Sequence, residues 1–224
     1  MQGNLTPRYP LVVFDFDGTL IPHEGSVWRT IHTRLGSDPL RRRAVVRAGL
    51  SGEISYAEWF AADVEMLRKN GVSRSDLLAI ADSFSPTPGA LELLADLRAG
   101  GARLAVLSGG LHLVCEQVFS QHPFDIIHAN RLIFDDAGLL SDGVATPFDM
   151  ERKGEGIVAL AAALNLAPSS VAFVGDGPND VSAAHMAGFS VAWGDAFSGL
   201  IEASSVCVVG PHMDSLRPFL FEGI

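Results

Sequence analysis

Apolar positions along the 224-residue chain fall into two kinds of run. Short unbroken runs, Leu11-Val12-Val13-Phe14, "ARLAVLS" (102–108), "SVAFVGD" (170–176) and "FSVAWGD" (189–195), predict buried strands of a sheet covered on both faces. Between them the apolar residues recur at helical spacing. In "TPGALELLADLRAGG", Thr87 is placed to N-cap, Pro88 suits the first helical position, Leu91, Leu94 and Leu97 form the stripe, and Gly100-Gly101 ends it. "GEGIVALAAALNL" (154–166) and "NDVSAAHMAG" (179–188) predict two more helices. Strands alternating with helices imply an α/β domain with a parallel sheet and crossover helices.

Residues 23–86 break that alternation. "SVWRTIHTRLG", "PLRRRAVVRAGLSG", "YAEWFAADVEMLRKNG" and "SRSDLLAIADSF" carry helical periodicity without a convincing strand, and "SFSPTPG" (83–89) reads as the linker back. The organisation expected is a core of 1–22 and 87–224 with a small helical cap, 23–86, inserted after the first strand. "ANRLIFDDAGLLSDGVATPF" (129–148) predicts a hairpin turning near Asp136-Ala137-Gly138.

Composition narrows the function classes. The chain is 48% hydrophobic and 19% charged, with 23 glycines and a size that suits one large domain with an insert. No window approaches 18 uncharged apolar residues, and "MQGNLTPRYP" lacks the pattern of a signal peptide, so a cytoplasmic address is expected. Cys115 and Cys207 are read as buried, reduced thiols. The formal net charge of −10 argues against sequence-independent binding to nucleic acid or an anionic membrane. A small anionic ligand would need a local positive centre, such as a metal.

Ligands of parallel α/β sheets bind outside the carboxyl ends of the strands. At those ends lie Asp15 and Asp17, then Ser108-Gly109-Gly110, then Asp176, Asn179 and Asp180 of "GDGPND". Two carboxylates about 4 Å apart repel by roughly 4 kcal/mol at an effective dielectric near 20, so a cation or a raised pKa is needed beside them. Hard oxygen donors suit Mg²⁺, which keeps room for water and phosphate. Gly109 and Gly110 admit an anion to their backbone N–H groups, Ser108 can donate to a phosphoryl oxygen, and Lys153 can add a fixed positive charge.

These motifs resemble those of the haloacid dehalogenase superfamily, and within it the phosphoserine phosphatase-like group. "DFDGTL", "SGG", Lys153 in "ERKGEG" and "GDGPND" look like its four motifs in order, and "LSGEISYAEW" and "ANRLIFDDAG" extend the likeness over about residues 10–195. The resemblance implies a Rossmann-like sheet and a Mg²⁺-dependent phosphomonoesterase acting on a small phosphorylated metabolite, as a monomer or homodimer. Asp15 would form an aspartyl-phosphate and Asp17 would serve as acid and base. Asp15, the Asp17 backbone carbonyl and Asp176 would hold the metal. Lys153 and Ser108 would stabilise the transferring group, while Asn179 and Asp180 would support substrate and metal. The second carboxylate, Asp17, argues for phosphate esters over halides. A non-catalytic phosphate-binding or regulatory protein is the reading from another class, and phosphotransfer to an acceptor other than water a third.

In the cap the likeness weakens. Glu24 matches a family residue that meets the substrate amino group, and Tyr56 stands where Phe is usual. Asp63 stands where the phosphoserine enzymes keep an Arg for the substrate carboxylate, which inverts the charge. Two expectations follow. Glu24 and Asp63, with Trp28, Trp59 or Tyr56, would form an acidic and aromatic pocket for a cationic headgroup such as phosphoethanolamine or phosphocholine. Alternatively, Trp28 and Trp59 are cap core, Asp63 is a solvated helix residue, and Arg41, Arg42, Arg43 or Arg47 replaces the missing Arg.

Overall fold

A computed structural model describes residues 5–22, 26–121 and 123–224. In chain order it runs β1 (Leu11–Phe14), α1 (Val27–Arg34), α2 (Pro39–Leu50), α3 (Tyr56–Lys69), α4 (Arg74–Ala81), α5 (Ala90–Ala99), β2 (Arg103–Leu111) and α6 (His112–Val118). It continues β3 (Ile126–Phe134), β4 (Leu140–Val144), α7 (Lys153–Ala163), β5 (Val171–Gly175), α8 (Val181–Met186), β6 (Phe189–Trp193), α9 (Ser198–Ala203), β7 (Val206–Val208) and α10 (Arg217–Leu220).

The strands form one mostly parallel sheet of order β4-β3-β2-β1-β5-β6-β7, in which only the β3–β4 hairpin is antiparallel. All four β1 residues are fully buried because the sheet is covered on both sides. Val12 and Phe14 join the cluster that takes in Leu93, Leu94 and Leu97 of α5, while Leu11 and Val13 face Ile157 and Leu160 of α7. Period-two alternation along four residues therefore nails the strand to two separate cores. The chain visits β2 and β3 on one side of β1 and β5 to β7 on the other, which makes the gap between β1 and β5 the topological switch point.

Four sequence expectations need correction, the first at Cys207, which is exposed on the edge strand β7 rather than buried. Helix α5 starts at Ala90 behind Gly89, whose φ is +81°, so Thr87 is not its N-cap. The Thr87 hydroxyl instead donates to the Thr19 carbonyl at 2.7 Å, tying the returning chain to the loop after β1. Leu91 is 51% exposed, and Leu93 takes its place toward the core. The hairpin turns where expected, but its first strand starts at Ile126 and joins the main sheet through β2, and β7 was not foreseen. Helices α1 to α4 all lie between β1 and α5 in the chain, with α3 packed on β4 and α4 on α6. Among the described residues no helix is long and apolar enough to cross a membrane.

Leu97 is fully buried between α5 and the sheet. Leu97→Ala should cost about 2–5 kcal/mol, seen as a lower chemical-denaturation midpoint with an unchanged slope.

Candidate active site

The loop after β1 sets the first carboxylates. The Asp15 N–H still donates to the Val174 carbonyl at 2.9 Å, so Asp15 is the last residue tied to β5. The backbone then turns at Gly18, whose φ is +86° and whose position admits no Cβ because the Asp176 carboxylate lies against it. Thr19 donates its hydroxyl to Asp176 Oδ1 at 2.8 Å, locking this loop to the end of β5. On the other side β2 carries a register shift between Leu107 and Leu111, and within it the Gly110 N–H donates to Ser108 Oγ at 3.0 Å. The Ser108 hydroxyl proton is thereby left for another acceptor.

Lys153 is fully buried at the start of α7. Its ammonium donates to Asp15 Oδ1 at 2.6 Å and to Asp180 Oδ1. The other Asp180 oxygen accepts the N–H groups of Asp176 and Gly177 at 2.9 and 2.8 Å, so Asp180 shapes the "GDGPND" turn rather than facing the cavity. Burial raises Asp15 well above the usual carboxylate range, with Lys153 opposing the shift. Burial pulls the Lys153 ammonium down, but Asp15 and Asp180 outweigh that and leave it above its ordinary value. Asp17 is pushed up to about 7, chiefly by burial. Its Oδ2 accepts the Val27 N–H at 3.3 Å, and its Oδ1 is buried with no hydrogen-bond partner among the described residues.

These donors fit the expected metal. Carboxylate oxygens of Asp15, Asp176 and Asp180 lie within 4.8 Å of one another, a density of anionic oxygen that suits a hard cation such as Mg²⁺. Because Asp180 is already satisfied by Lys153 and two backbone N–H groups, Asp15 and Asp176 are the side chains left for direct ligation.

A cavity of about 380 Å³ joins Asp15, Asp17, Ser108, Gly109, Gly110, Asp176 and Asn179 to the helical segment. Larger hollows of about 590 and 1290 Å³ lie along β3–β4 and along α2, but neither contains Asp15, Asp17 or Asp176. Lys153 and Asp180 do not reach the cavity wall and act on it through Asp15 and Asp176. Trp28 and Tyr56 do reach it, and both bind the same backbone atom: the Gly109 carbonyl accepts Trp28 Nε1 at 2.9 Å and the Tyr56 hydroxyl at 3.4 Å. Glu24 lies outside the described residues.

Two participants went unread in the sequence. Asn130, fully buried on β3, donates to the Gly109 carbonyl at 2.6 Å and to the Tyr56 oxygen at 2.7 Å, while its own oxygen accepts the Thr146 N–H. Asp149, also buried, accepts from Asn179 Nδ2 at 2.8 Å and blocks any Cβ at Gly109. Neighbouring Met150 holds a φ of +51°, a left-handed conformation costly for a side chain of this kind, at the cavity's rim.

Asp63 corrects the expectation of a solvated helix residue. It is 3% exposed, and its Oδ2 accepts Trp59 Nε1 at 3.1 Å. Its Oδ1 lies 3.1 Å from His32 Nε2 and 3.8 Å from Arg42 Nε. Oδ2 is thus hydrogen-bonded, while Oδ1 has ion-pair contacts only and no hydrogen-bond partner among the described residues. Trp28 and Trp59 are half-buried cavity residues as well as packing residues.

Residues 9–188 match the haloacid dehalogenase-like hydrolase family. The chain belongs to that family. It is 33% identical over 170 residues to the phosphoserine phosphatase of Idiomarina loihiensis, covering 76% of this chain and 75% of that one. It is 32% identical over 184 residues to that of Halobacterium salinarum, covering 81% and 84%. Among solved structures, a haloacid dehalogenase family hydrolase from Salmonella enterica serovar Typhi superposes with a TM-score of 0.82 at 26% identity, over 98% of this chain and 72% of that one. A phospho-aspartyl intermediate analogue of phosphoserine phosphatase shares the fold, with a TM-score of 0.77 at 24% identity over 95% and 99% of the two chains. This chain is therefore a haloacid dehalogenase-like hydrolase of the phosphoserine phosphatase-like group.

The Asp17 shift has a stability consequence. In the metal-free fold Asp17 keeps its proton up to about pH 7, whereas unfolded it loses it near 4, so between those values the folded state binds more protons and stability falls as pH rises. The loss is at most about 4 kcal/mol, reduced by water reaching the half-buried residue. Asp17→Asn should therefore melt higher than the parent in EDTA at pH 8, with the difference vanishing near pH 4.

Proposed function

We propose that this hydrolase is a Mg²⁺-dependent phosphomonoesterase that passes the phosphoryl group of a small metabolite to Asp15 and then to water. The observation that carries the reading is the asymmetry of its two carboxylates in one cavity: Asp15 is gripped by a buried ammonium, while Asp17 keeps a buried oxygen without a hydrogen-bond partner among the described residues and is pushed up to about 7. A nucleophile and an acid–base group need that difference.

With Lys153 on Oδ1, the second Asp15 oxygen attacks phosphorus, forming the acyl phosphate as the bond to the leaving oxygen breaks. Asp17 gives its proton to that oxygen. It then takes a proton from the water that attacks phosphorus, and the bond between phosphorus and Asp15 breaks. Ser108, whose Oγ already accepts the Gly110 N–H, and the N–H of Gly109 donate to the phosphoryl oxygens, and Asn179, steadied by Asp149, stands beside them. Mg²⁺ held by Asp15 and Asp176, with the Asp17 carbonyl, would keep Asp15 ionised against burial and neutralise phosphoryl charge.

Residues 23–86 act as a cap that roofs the cavity and keeps bulk water out. The cavity of about 380 Å³ suits a metabolite rather than a folded protein.

Hydrolysis of p-nitrophenyl phosphate should appear with Mg²⁺, vanish with EDTA and vanish in Asp15→Asn. Asp17→Asn should lower kcat by about 10²- to 10⁴-fold. Activity unchanged in Asp15→Asn would discard the nucleophile, and no hydrolysis under any condition would discard the enzyme reading.

A further inference from the structure

We propose that Asn130 is a positioning residue for phosphate binding, which holds the Gly109–Gly110 peptide so that Ser108 presents its hydroxyl proton to the phosphoryl group. The assignment deepens the phosphomonoesterase reading and rests on it for the place of the phosphate, though not for turnover.

The strand ladder does not hold this peptide. Leu107 of β2 pairs with His128 of β3 and Leu111 pairs with Asn130, so Ser108, Gly109 and Gly110 stand opposite Ala129 alone. Such a bulge leaves surplus backbone groups without ladder partners. Two successive glycines add conformational freedom, and the orientation of the peptide must then be set by side chains.

Asn130 sets it at the carbonyl end. Its carboxamide is fully buried and every polar position on it is used: Oδ1 accepts the Thr146 N–H at 2.8 Å, and Nδ2 donates to the Gly109 carbonyl at 2.6 Å and to the Tyr56 oxygen at 2.7 Å. The reversed amide would put oxygen against the Gly109 carbonyl and NH₂ against an N–H, so only one orientation fits. Asn130 does not line the cavity and has no donor left for a substrate. From α1, Trp28 Nε1 donates to the same carbonyl at 2.9 Å.

The other end of the same peptide meets the serine. The Gly109 carbonyl and the Gly110 N–H belong to one planar unit, so fixing the oxygen fixes the N–H. That N–H donates to Ser108 Oγ at 3.0 Å, which occupies one lone pair and turns the hydroxyl proton away from Gly110. Donors on the carbonyl also polarise the peptide, and a stronger N–H donor makes the hydroxyl beyond it a better donor in turn. Asn130 thus acts on phosphate through one peptide group and Ser108, with no proton transferred along the way.

A double-mutant cycle with Ser108→Ala reads this link, because a residue that acts through the Ser108 hydroxyl has nothing to act on once that hydroxyl is gone. The readout is affinity for inorganic phosphate with Mg²⁺ by titration calorimetry, with kcat/KM for p-nitrophenyl phosphate followed beside it. Asn130→Leu keeps the size of the side chain and removes its donors without placing a charge near the phosphate; Asn130→Ala removes donors and size together. Each should weaken phosphate about tenfold in the parent and less than about twofold in Ser108→Ala. Losses that multiply with that of Ser108→Ala, or no loss in either variant, overturn the assignment. Trp28→Phe takes the other N–H from the same carbonyl and should show the same pattern in phosphate affinity, so its cycle decides the question if neither Asn130 variant folds. A parent that binds phosphate without hydrolysing p-nitrophenyl phosphate overturns the enzyme reading, and the affinity cycle still judges Asn130. A parent that binds no phosphate overturns both.

Discussion

A lysine ammonium with no exposure, held between two carboxylates, is the constraint on which the rest of the site depends. An ammonium in that position is tolerable only while both partners stay, since removing one leaves an uncompensated buried charge that costs about 3–5 kcal/mol. Each partner therefore fixes a piece of backbone. Asp15 directly follows β1, and Asp180 closes the turn after β5 by accepting two N–H groups. Lys153 itself begins α7, whose apolar face packs under β1 and β2. One ion triad thus sets the spacing of three elements across the topological switch point. The electrostatic setting of phosphoryl transfer is in this way part of the fold's own stability.

The second control point is a single carbonyl. Gly109 sits in the irregular stretch of β2, where the glycine permits the Asp149 carboxylate to come close. Its oxygen gathers Trp28 from α1, Tyr56 from α3 and Asn130 from β3. The N–H of the same glycine is a candidate phosphate donor. Helical segment and phosphate loop therefore meet at one residue, and movement of those helices away from the sheet must disturb the place where phosphate binds. Asp149 extends the link by holding Asn179 while its charge, after burial, raises the Tyr56 hydroxyl further above its ordinary range.

What could be read in the sequence was local. Four apolar runs gave strands, and the glycine and carboxylate motifs after them gave the cavity floor, because pleat, turn and strand end are set within a few residues. The failures were of longer range. Thr87 looks like a cap because Pro88 follows, yet its hydroxyl serves Thr19, 68 residues away in sequence. Asn130 and Asp149 carry no spacing signal, since their partners come from β2, α3 and the "GDGPND" turn. Asp63 is the sharpest case. As one acidic residue on an amphipathic helix it reads as solvated, and only the docking of α1 and α2 shows that His32 and Arg42 close over it.

That last point bears on how a substrate site changes. Swapping an arginine for an aspartate in a recognition pocket inverts a charge, and taken alone it should exchange an anionic ligand for a cationic one. Here the aspartate is buried, and burial without a partner is what the interior does not tolerate. A cation must come to it, and the nearest helix supplies one from its cavity-facing side. The net charge at that end of the cavity then follows from the pair rather than from the residue on α3. Desolvation thereby links two positions that sequence separates by 21 residues, Arg42 and Asp63, so that neither can be interpreted without the other.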